Sequence, residues 1–358
     1  MKVCHMTSAH NCHDIRIFVK ECCSLAQAGY DTYLVAMGES EEKSGVHIVG
    51  AGPIPTSRRK RMTATAKRVY LKALDLDCSI YHFHDPELLP YGLKLKKAGA
   101  HVIFDSHEDV PAQILDKQWI PAPLRKVTAC LYRRYETHVV KQLDAVVAAT
   151  PYIAKQFEGR AKRVVVVNNY PRLDDIQFHD TPFEQREPII CYAGGISELR
   201  GEKVMVEAMK GVEGTLVLAG PRENRNEEYK YPVIYLGFQN RDGINELYGR
   251  AVCGLCLLAP IKNYLNSQPI KIYEYMAAGL PFICSDFPAW RDLAEQTQAG
   301  ICVDYTDTAA IRKAIIRLLS DRRLAQQMGL NGRKAVETHY CWSFEASKLK
   351  ALYDSLKE

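Results

Sequence analysis

The feature that most constrains this chain is an alternation of short apolar runs with amphipathic ones, played through once and then begun again. Residues 2–6, 32–37, 79–83, 101–105, 145–149 and 164–168 are apolar runs of strand length, and helical periodicity fills intervals at 18–28, 87–98 and 124–141. Strands that are apolar on both faces are covered on both faces, so this half predicts a parallel sheet with helices on either side. From Asn169-Tyr-Pro171-Arg172 to Arg186-Glu-Pro188 the pattern lapses into polar residues and prolines. It then restarts, with strand-like runs at 189–193, 215–219, 233–236, 252–258, 281–285 and 300–303 and helical stretches at 202–209, 243–250 and 270–278. After Asp307 the chain reads as nearly all helix, ending over 343–356. The expectation is an α/β protein of two Rossmann-like domains, 1–172 and 188–340, with a linker at 173–187 and a closing segment at 341–358. A length of 358 residues fits two ordinary cores. Open parallel sheets bind ligands beyond the carboxyl ends of their strands, which places the expected site in a cleft between the domains.

Composition removes several classes. Hydrophobic content of 47% and charged content of 25% are those of a globular chain. No apolar run approaches the ~20 residues that span a bilayer, and Met1-Lys-Val-Cys-His lacks the start of a signal peptide, so a cytoplasmic location is expected. Twelve cysteines scattered through strands and helices fit buried thiols in a reducing compartment. Cys253 and Cys256 have redox-motif spacing, but they lie within one strand-like run and read as core. The net charge of +5 is modest, yet the segment 58–72 carries seven Lys or Arg and no acid. It reads equally as a contact for an anionic membrane surface or as a solvated helix face; no nucleic-acid-binding module accompanies it.

The segment Pro269-Ile-Lys271-Ile-Tyr-Glu274-Tyr-Met-Ala-Ala-Gly279-Leu-Pro281 reads as a short helix that starts at a proline and is stopped by Gly279 and Pro281. Its first-turn N–H groups and macrodipole favour an anion, Lys271 adds an ammonium, and Glu274 has the reach to accept from a ribose diol; the pattern alone serves equally an amphipathic helix with Ile270, Tyr273 and Met276 in a core. After the run 189–193 comes Gly194-Gly195-Ile-Ser-Glu-Leu-Arg200-Gly201, a glycine turn leading into a helix, where backbone N–H groups can approach a phosphate and Arg200 can pair with it. Neither stretch carries the complete dinucleotide fingerprint, so an NAD-dependent enzyme is disfavoured.

Lys-x-x-Glu-Tyr-Met-Ala-Ala-Gly-x-Pro resembles the nucleotide-sugar-binding segment of the GT4 family of retaining glycosyltransferases. The resemblance extends over nearly the whole chain and is similar to a bacterial branch acting in surface-polysaccharide synthesis. It implies a GT-B fold in which the second domain holds a nucleotide-sugar, the first holds the acceptor and the last helix returns to the first domain. It implies Gly194, Gly195, Arg200, Asn266, Lys271 and Glu274 as donor contacts, with Arg200 and Lys271 neutralising the diphosphate. Three positions depart from the family: Gly195 stands where an arginine is usual, which removes one usual diphosphate contact, Arg200 where a lysine is usual, and Asn266, eight residues before Glu274, where a glutamate is usual. An amide still bonds a hydroxyl, though not as a carboxylate does.

In the first half, Asp105-Ser106-His107-Glu108 ends a strand and resembles the family's histidine motif, which implies that His107 meets the reacting sugar and Glu108 the acceptor. His82 and His84 share one strand face and could chelate a metal, but no third ligand is evident; His84 and Asp85 read as metal-free acceptor contacts. His13-Asp14-Ile-Arg16-Ile-Phe resembles a variant of the family's first loop, making His13, Asp14 and Arg16 acceptor contacts. A salt-bridged helix start serves Asp14 and Arg16 equally well. Asp75-Leu-Asp77 precedes its strand, at the wrong sheet edge for a metal-diphosphate site. The function implied is transfer of a hexose or N-acetylhexosamine, from a UDP-sugar by preference, to a lipid-linked or glycan acceptor, without metal or other cofactor. An NDP-sugar 2-epimerase and a non-catalytic partner subunit of the same fold are the alternatives.

Overall fold

The computed structural model describes residues 1–55, 57–117, 119–223 and 231–357, and these divide into two units, Met1–Asn169 with Ser343–Glu358 and Tyr170–Trp342. The apolar runs of the first half become β1 (Lys2–Asn11), β2 (Asp31–Met37), β5 (Ile80–Phe83), β6 (His101–Ser106), β7 (Ala145–Ala148) and β8 (Val164–Val166). Two strands that the apolar pattern did not reveal, β3 (Glu41–Lys43) and β4 (Val46–Gly50), complete a sheet of order β3-β4-β2-β1-β5-β6-β7-β8. All its pairings are parallel except β3 with β4. β3 escaped notice because all three of its residues are exposed, leaving no hydrophobic period to read.

The two faces of this sheet differ. Cys4, Met6, Tyr81, Phe83, Val102 and Phe104 pack one face against helices. On the other, Leu34 and Ala36 meet Ile17 and Phe18 from the helix Ile15–Cys22. That helix is wound in wider than α turns, and Asp14 caps it by accepting from the amides of Arg16 and Ile17, 2.9 Å each. The order in which strands are added reverses between β1 and β5, so the carboxyl ends of these two strands flank the unit's topological switch point.

In the second unit, β9 (Ile189–Ala193), β10 (Thr215–Ala219), β11 (Val233–Gly237), β12 (Cys253–Cys256), β13 (Phe282–Ser285) and β14 (Gly300–Val303) form an all-parallel sheet of order β11-β10-β9-β12-β13-β14. Its switch point lies between β9 and β12, where the glycine turn and the loop leading to the helix Ile270–Ala277 emerge. Cys253 and Cys256 are buried free thiols in β12.

Residues 173–187, expected to link domains, fall within the second unit. Ile176 and Phe183 join its core, and the Arg186 guanidinium donates to the carbonyls of His179, Thr181 and Ala251. The prolines and polar residues of this stretch hid two apolar anchors. The closing helix Trp342–Asp354 joins the first unit. Leu349, Leu352 and Tyr353 are buried, Glu345 accepts from the Asn168 amide at 2.8 Å, and the Tyr30 hydroxyl donates to Asp354 at 2.6 Å.

Candidate functional site

In the second unit the glycine turn and the helix Ile270–Ala277 bring two cations together. Gly194 has φ of 135°, and a Cβ there would lie 3.0 Å from Lys271 Nζ; one on Gly195 would lie 2.5 Å from Arg200 Nη1. Gly220, at the end of β10, leaves no more room: a Cβ would lie 2.0 Å from the Gly194 carbonyl oxygen. Glycine is therefore the residue that lets both cations close over the backbone at the sheet's edge. The Lys271 ammonium sits 3.6 Å from the centroid of the Tyr192 ring, whose hydroxyl donates to the Gly195 carbonyl at 2.7 Å.

Among the described residues neither Lys271 nor Arg200 forms an ion pair. Burial draws the Lys271 pKa down to about 8; Cys256 pulls against it, the Arg200 charge pushes the same way as burial, and Glu274 adds a weaker upward pull. Two cations held side by side without a carboxylate favour an anion that would bridge them. The helix N-terminus adds unpaired N–H groups at Lys271, with Pro269 in the capping position just outside the first turn. Gly279 takes the left-handed conformation at the far end, φ 71°.

Glu274 is less open than the sequence suggests. Its Oε1 accepts from Arg241 Nη2 at 3.0 Å and its Oε2 from the Tyr248 hydroxyl at 3.3 Å. Those partners hold it in one orientation while leaving lone pairs for a diol. Asn266 is exposed at the end of the short helix Lys262–Leu265. Its loop is pinned beside it by the Trp290 indole, which donates to the Ser267 carbonyl at 2.7 Å. The sequence reading missed Tyr192, Arg241 and Tyr248, none of which falls in a recognisable motif.

In the first unit the residues expected to meet an acceptor separate into two groups. His107 lies in a groove of about 990 Å³ at the carboxyl edge of the sheet, together with His10, His84, Asp85 and Glu108. The His107 Nε2 stands 2.9 Å from Asp105 Oδ2, which fixes its ring. Glu108 is exposed, and its carboxylate accepts from the Gln113 side chain. His84 and Asp85 reach the groove from the end of β5 but are almost wholly enclosed. Asp85 accepts from the Thr7 hydroxyl and the Ser8 and Ala9 amides, so it anchors the carboxyl half of β1.

Arg16 is a correction. It is buried, and its guanidinium forks onto Asp105 with two 3.0 Å hydrogen bonds, donates to the Val167 carbonyl and stands 3.1 Å from Glu21. Three of its five N–H donors are spent on these partners, and its burial keeps it from an acceptor substrate. Burial opposes the charge on Asp105, but Arg16 and then His107 hold its pKa well below the usual carboxylate range. Asp14 is the cap of its helix and pairs with His10, 3.3 Å away. Of the two readings open for Asp14 and Arg16, the salt-bridged helix start is the one in place. His13 pairs with Glu41 of β3 at 3.0 Å and is not among the residues lining the groove. His10, by contrast, lines it; Asp14 raises its pKa, against the effect of burial. A second correction concerns His82 and His84: two further candidate metal ligands, His5 and Glu21, do lie beside them.

Residues 18–170 match the family model described as Glycosyltransferase Family 4, and residues 174–335 match that described as Glycosyl transferases group 1. A putative glycosyltransferase of Bacillus subtilis, YtcC, is 25% identical over 189 residues, 47% of this chain and 45% of the relative. The match thus spans about half the length of that curated relative. Among solved structures, a sucrose-phosphate synthase from Thermosynechococcus elongatus superposes with a TM-score of 0.79 at 17% identity, covering 99% of this chain and 98% of the other. Anabaena HepE in complex with UDP-glucose superposes at 0.74 and 11% identity, over 99% and 100% of the two chains. These likenesses establish the fold, that of GT-B glycosyltransferases, and with both family models matched in tandem along it, the chain belongs to the group 1 glycosyltransferases of GT4 type.

Proposed function

We propose that the protein is a retaining glycosyltransferase that moves a hexose or N-acetylhexosamine from a nucleotide-diphosphate sugar, UDP by preference, to a lipid-linked or glycan acceptor in surface-polysaccharide synthesis. The observation that carries this reading is the convergence of Lys271 and Arg200, without ion-pair partners among the described residues, on the Gly194-Gly195 turn at the switch point of the second sheet. The donor diphosphate lies across these two cations and the N-terminus of the helix Ile270–Ala277. Glu274 accepts from the ribose diol, and Asn266 bonds a hydroxyl of the transferred sugar. The preference for uridine draws on the likeness to HepE, which was solved with UDP-glucose.

As the glycosidic bond breaks, negative charge grows on the leaving phosphate, where Lys271, Arg200 and the helix N–H groups strengthen their hold. The leaving oxygen takes the acceptor's proton on the same face of the sugar, which gives retention without a covalent intermediate. His107, oriented by Asp105, positions a sugar hydroxyl. Transfer in this scheme uses no metal at the diphosphate, because the two side-chain cations supply the charge.

The groove beside His107 supports an amphipathic acceptor. Its walls include Met62, Ile114, Ile120 and Trp119 together with Arg58 and Arg59, a combination suited to a lipid chain and its phosphate. Nearby, Leu124, Val127 and Leu131 form an exposed stripe on the helix Ala122–Val140, and Arg58 to Lys60 are exposed as well. No described helix is long and apolar enough to cross a membrane. The proposed location is the cytoplasmic face of the membrane, held by this basic and apolar surface. Vesicles containing phosphatidylglycerol should sediment the protein and neutral vesicles should not; equal sedimentation by both removes the membrane contact from the proposal.

The central test is calorimetric titration with UDP, GDP, ADP and CMP, followed by a sugar screen and NMR assignment of the product anomer. Binding of UDP that Lys271→Ala weakens, with retention at the anomeric carbon, is the expected result. A protein that binds none of the four nucleotides is not a transferase of this kind.

A further inference from the structure

A cluster in the first unit, apart from the reacting groups assigned above, is short of a cation. His5 of β1 and His82 of β5 are register partners, so their side chains leave the sheet on one face, and His84 follows two residues on. The helix Ile15–Cys22 covers that face and supplies Glu21. All four residues are buried. One candidate ligand atom from each can be chosen so that all lie within 4.8 Å of one another. His5 Nδ1 is 2.9 Å from His84 Nε2 and 3.7 Å from Glu21 Oε2, and His84 Nε2 is 3.9 Å from the same oxygen. A tetrahedral zinc with bonds of ~2.0–2.1 Å has ligand–ligand edges of about 3.4 Å, within the spread of these distances.

Hydrogen-bond accounting shows what is missing. With its Nδ1–H directed to Asp105 at 3.2 Å, His84 offers Nε2 as an acceptor for the His5 Nδ1–H. His5 Nε2 then accepts from the Tyr353 hydroxyl at 2.9 Å, and the Tyr353 oxygen accepts from the His82 Nδ1–H at 2.8 Å. The chain of donors ends there. His82 Nε2 and both Glu21 oxygens are buried with no hydrogen-bond partner. The Arg16 Nε near Glu21 Oε1 makes a charge contact outside hydrogen-bond geometry. Unpaired acceptors facing one another in a dry interior are costly.

We propose that His5, Glu21, His82 and His84 bind one divalent transition metal of the zinc class. Placed among His5 Nδ1, His82 Nε2, His84 Nε2 and a Glu21 oxygen, such an ion turns three ring-nitrogen lone pairs and one of the two carboxylate oxygens into ligands. The outer ring nitrogens already have the partners that ligating histidines require: Asp105 for His84, and the Tyr353 oxygen, with two lone pairs, for His5 and His82. Four protein ligands leave no open position, so the ion is structural, joining β1, β5, the helix Ile15–Cys22 and, through Tyr353, the closing helix.

The test uses the full chain, stripped with a chelator and dialysed. One equivalent of Co²⁺ should give the visible absorption of a four-coordinate nitrogen–oxygen site without the near-ultraviolet band of cobalt–thiolate bonds. Zn²⁺ should abolish that absorption and raise the melting temperature. Glu21→Gln and His82→Ala, each checked for a native far-ultraviolet spectrum and cooperative melting, should weaken cobalt binding by at least about tenfold, the size seen for lesser, outer-shell changes. His107→Ala should leave the cobalt spectrum unchanged, which separates this site from the neighbouring His84, Asp105 and His107 group. Wild-type protein with no cobalt absorption and no zinc-dependent melting overturns the proposal. So does absorption that survives both ligand variants or carries the sulfur band.

Discussion

The two switch points of this molecule are built alike and charged differently. Each lies where a parallel sheet reverses its strand order, and each gathers titratable side chains at the carboxyl edge. In the first unit the charges are turned inward: Arg16 forks onto Asp105, two histidines close on the same carboxylate, and all but His107 are buried. In the second, Lys271 and Arg200 meet over a glycine turn, and neither pairs with a carboxylate among the described residues. A buried network whose charges face one another rigidifies a frame, whereas a pair of cations with no carboxylate partner among the described residues keeps its field for a ligand. The first arrangement is thus a scaffold that aims His107, and the second is the binding device itself.

The largest effect should come from breaking the inward network. Arg16→Ala leaves Asp105 and Glu21 buried without their cation, and losing one partner of such a pair costs about 3–5 kcal/mol. Urea denaturation should show that loss as a lower midpoint. An Arg16→Ala variant as stable as the parent and impaired only in acceptor use would return Arg16 to the acceptor site.

Next in size is the same operation on the outward pair. Lys271→Ala or Arg200→Ala should lower kcat by tenfold or more, and up to the ~10²–10³ typical of removing one transition-state donor. Stability should be unchanged or slightly raised, because a desolvated ammonium is removed. Wild-type turnover in both variants contradicts the phosphate assignment.

The contrast was only partly legible in the sequence. Lys271 and Glu274 were readable because a helix places residues three apart on one face, and the glycine turn because it follows an apolar strand directly. The inward network was not, since Arg16 meets Asp105 across 89 residues and the Tyr353 hydroxyl meets His5 across 348. No local period records a pairing of that range. For the same reason, Glu274 looked like a free carboxylate until Arg241, 33 residues away, was seen on it. In the fold, the strands of both sheets were recognisable wherever burial on two faces made them continuously apolar. The segment 173–187 looked like a linker because its two core residues, Ile176 and Phe183, are too few to set a period.

Glu274 sharpens the comparison at a smaller scale, being the one site carboxylate of the second unit that is both held and partly open. Arg241→Ala should weaken nucleotide binding by roughly tenfold or less, about 1.4 kcal/mol, by freeing Glu274 to rotate, whereas Glu274→Ala should weaken it further. Equal affinity in the parent and both variants, measured by calorimetry, would remove Glu274 from the ribose site.

The last contrast is a pair of pH slopes that the inward network cannot produce. With the Lys271 pKa drawn down to about 8 by burial, the ammonium begins to lose its proton just above neutrality. Nucleotide affinity should therefore fall as pH rises from 7 to 9, by up to about tenfold for one pH unit beyond the pKa. Stability should move the other way. In the unfolded chain this lysine keeps its ordinary value near 10.5, so between about 8 and 10.5 the unfolded state holds the extra proton. Unfolding free energy then rises with pH across that window and is flat in this group below it. Lys271→Met should abolish both slopes together while leaving the acid side of the stability profile, where the buried carboxylates titrate, as it was. Slopes that persist in Lys271→Met would mean that the cation over the glycine turn is not the group being titrated.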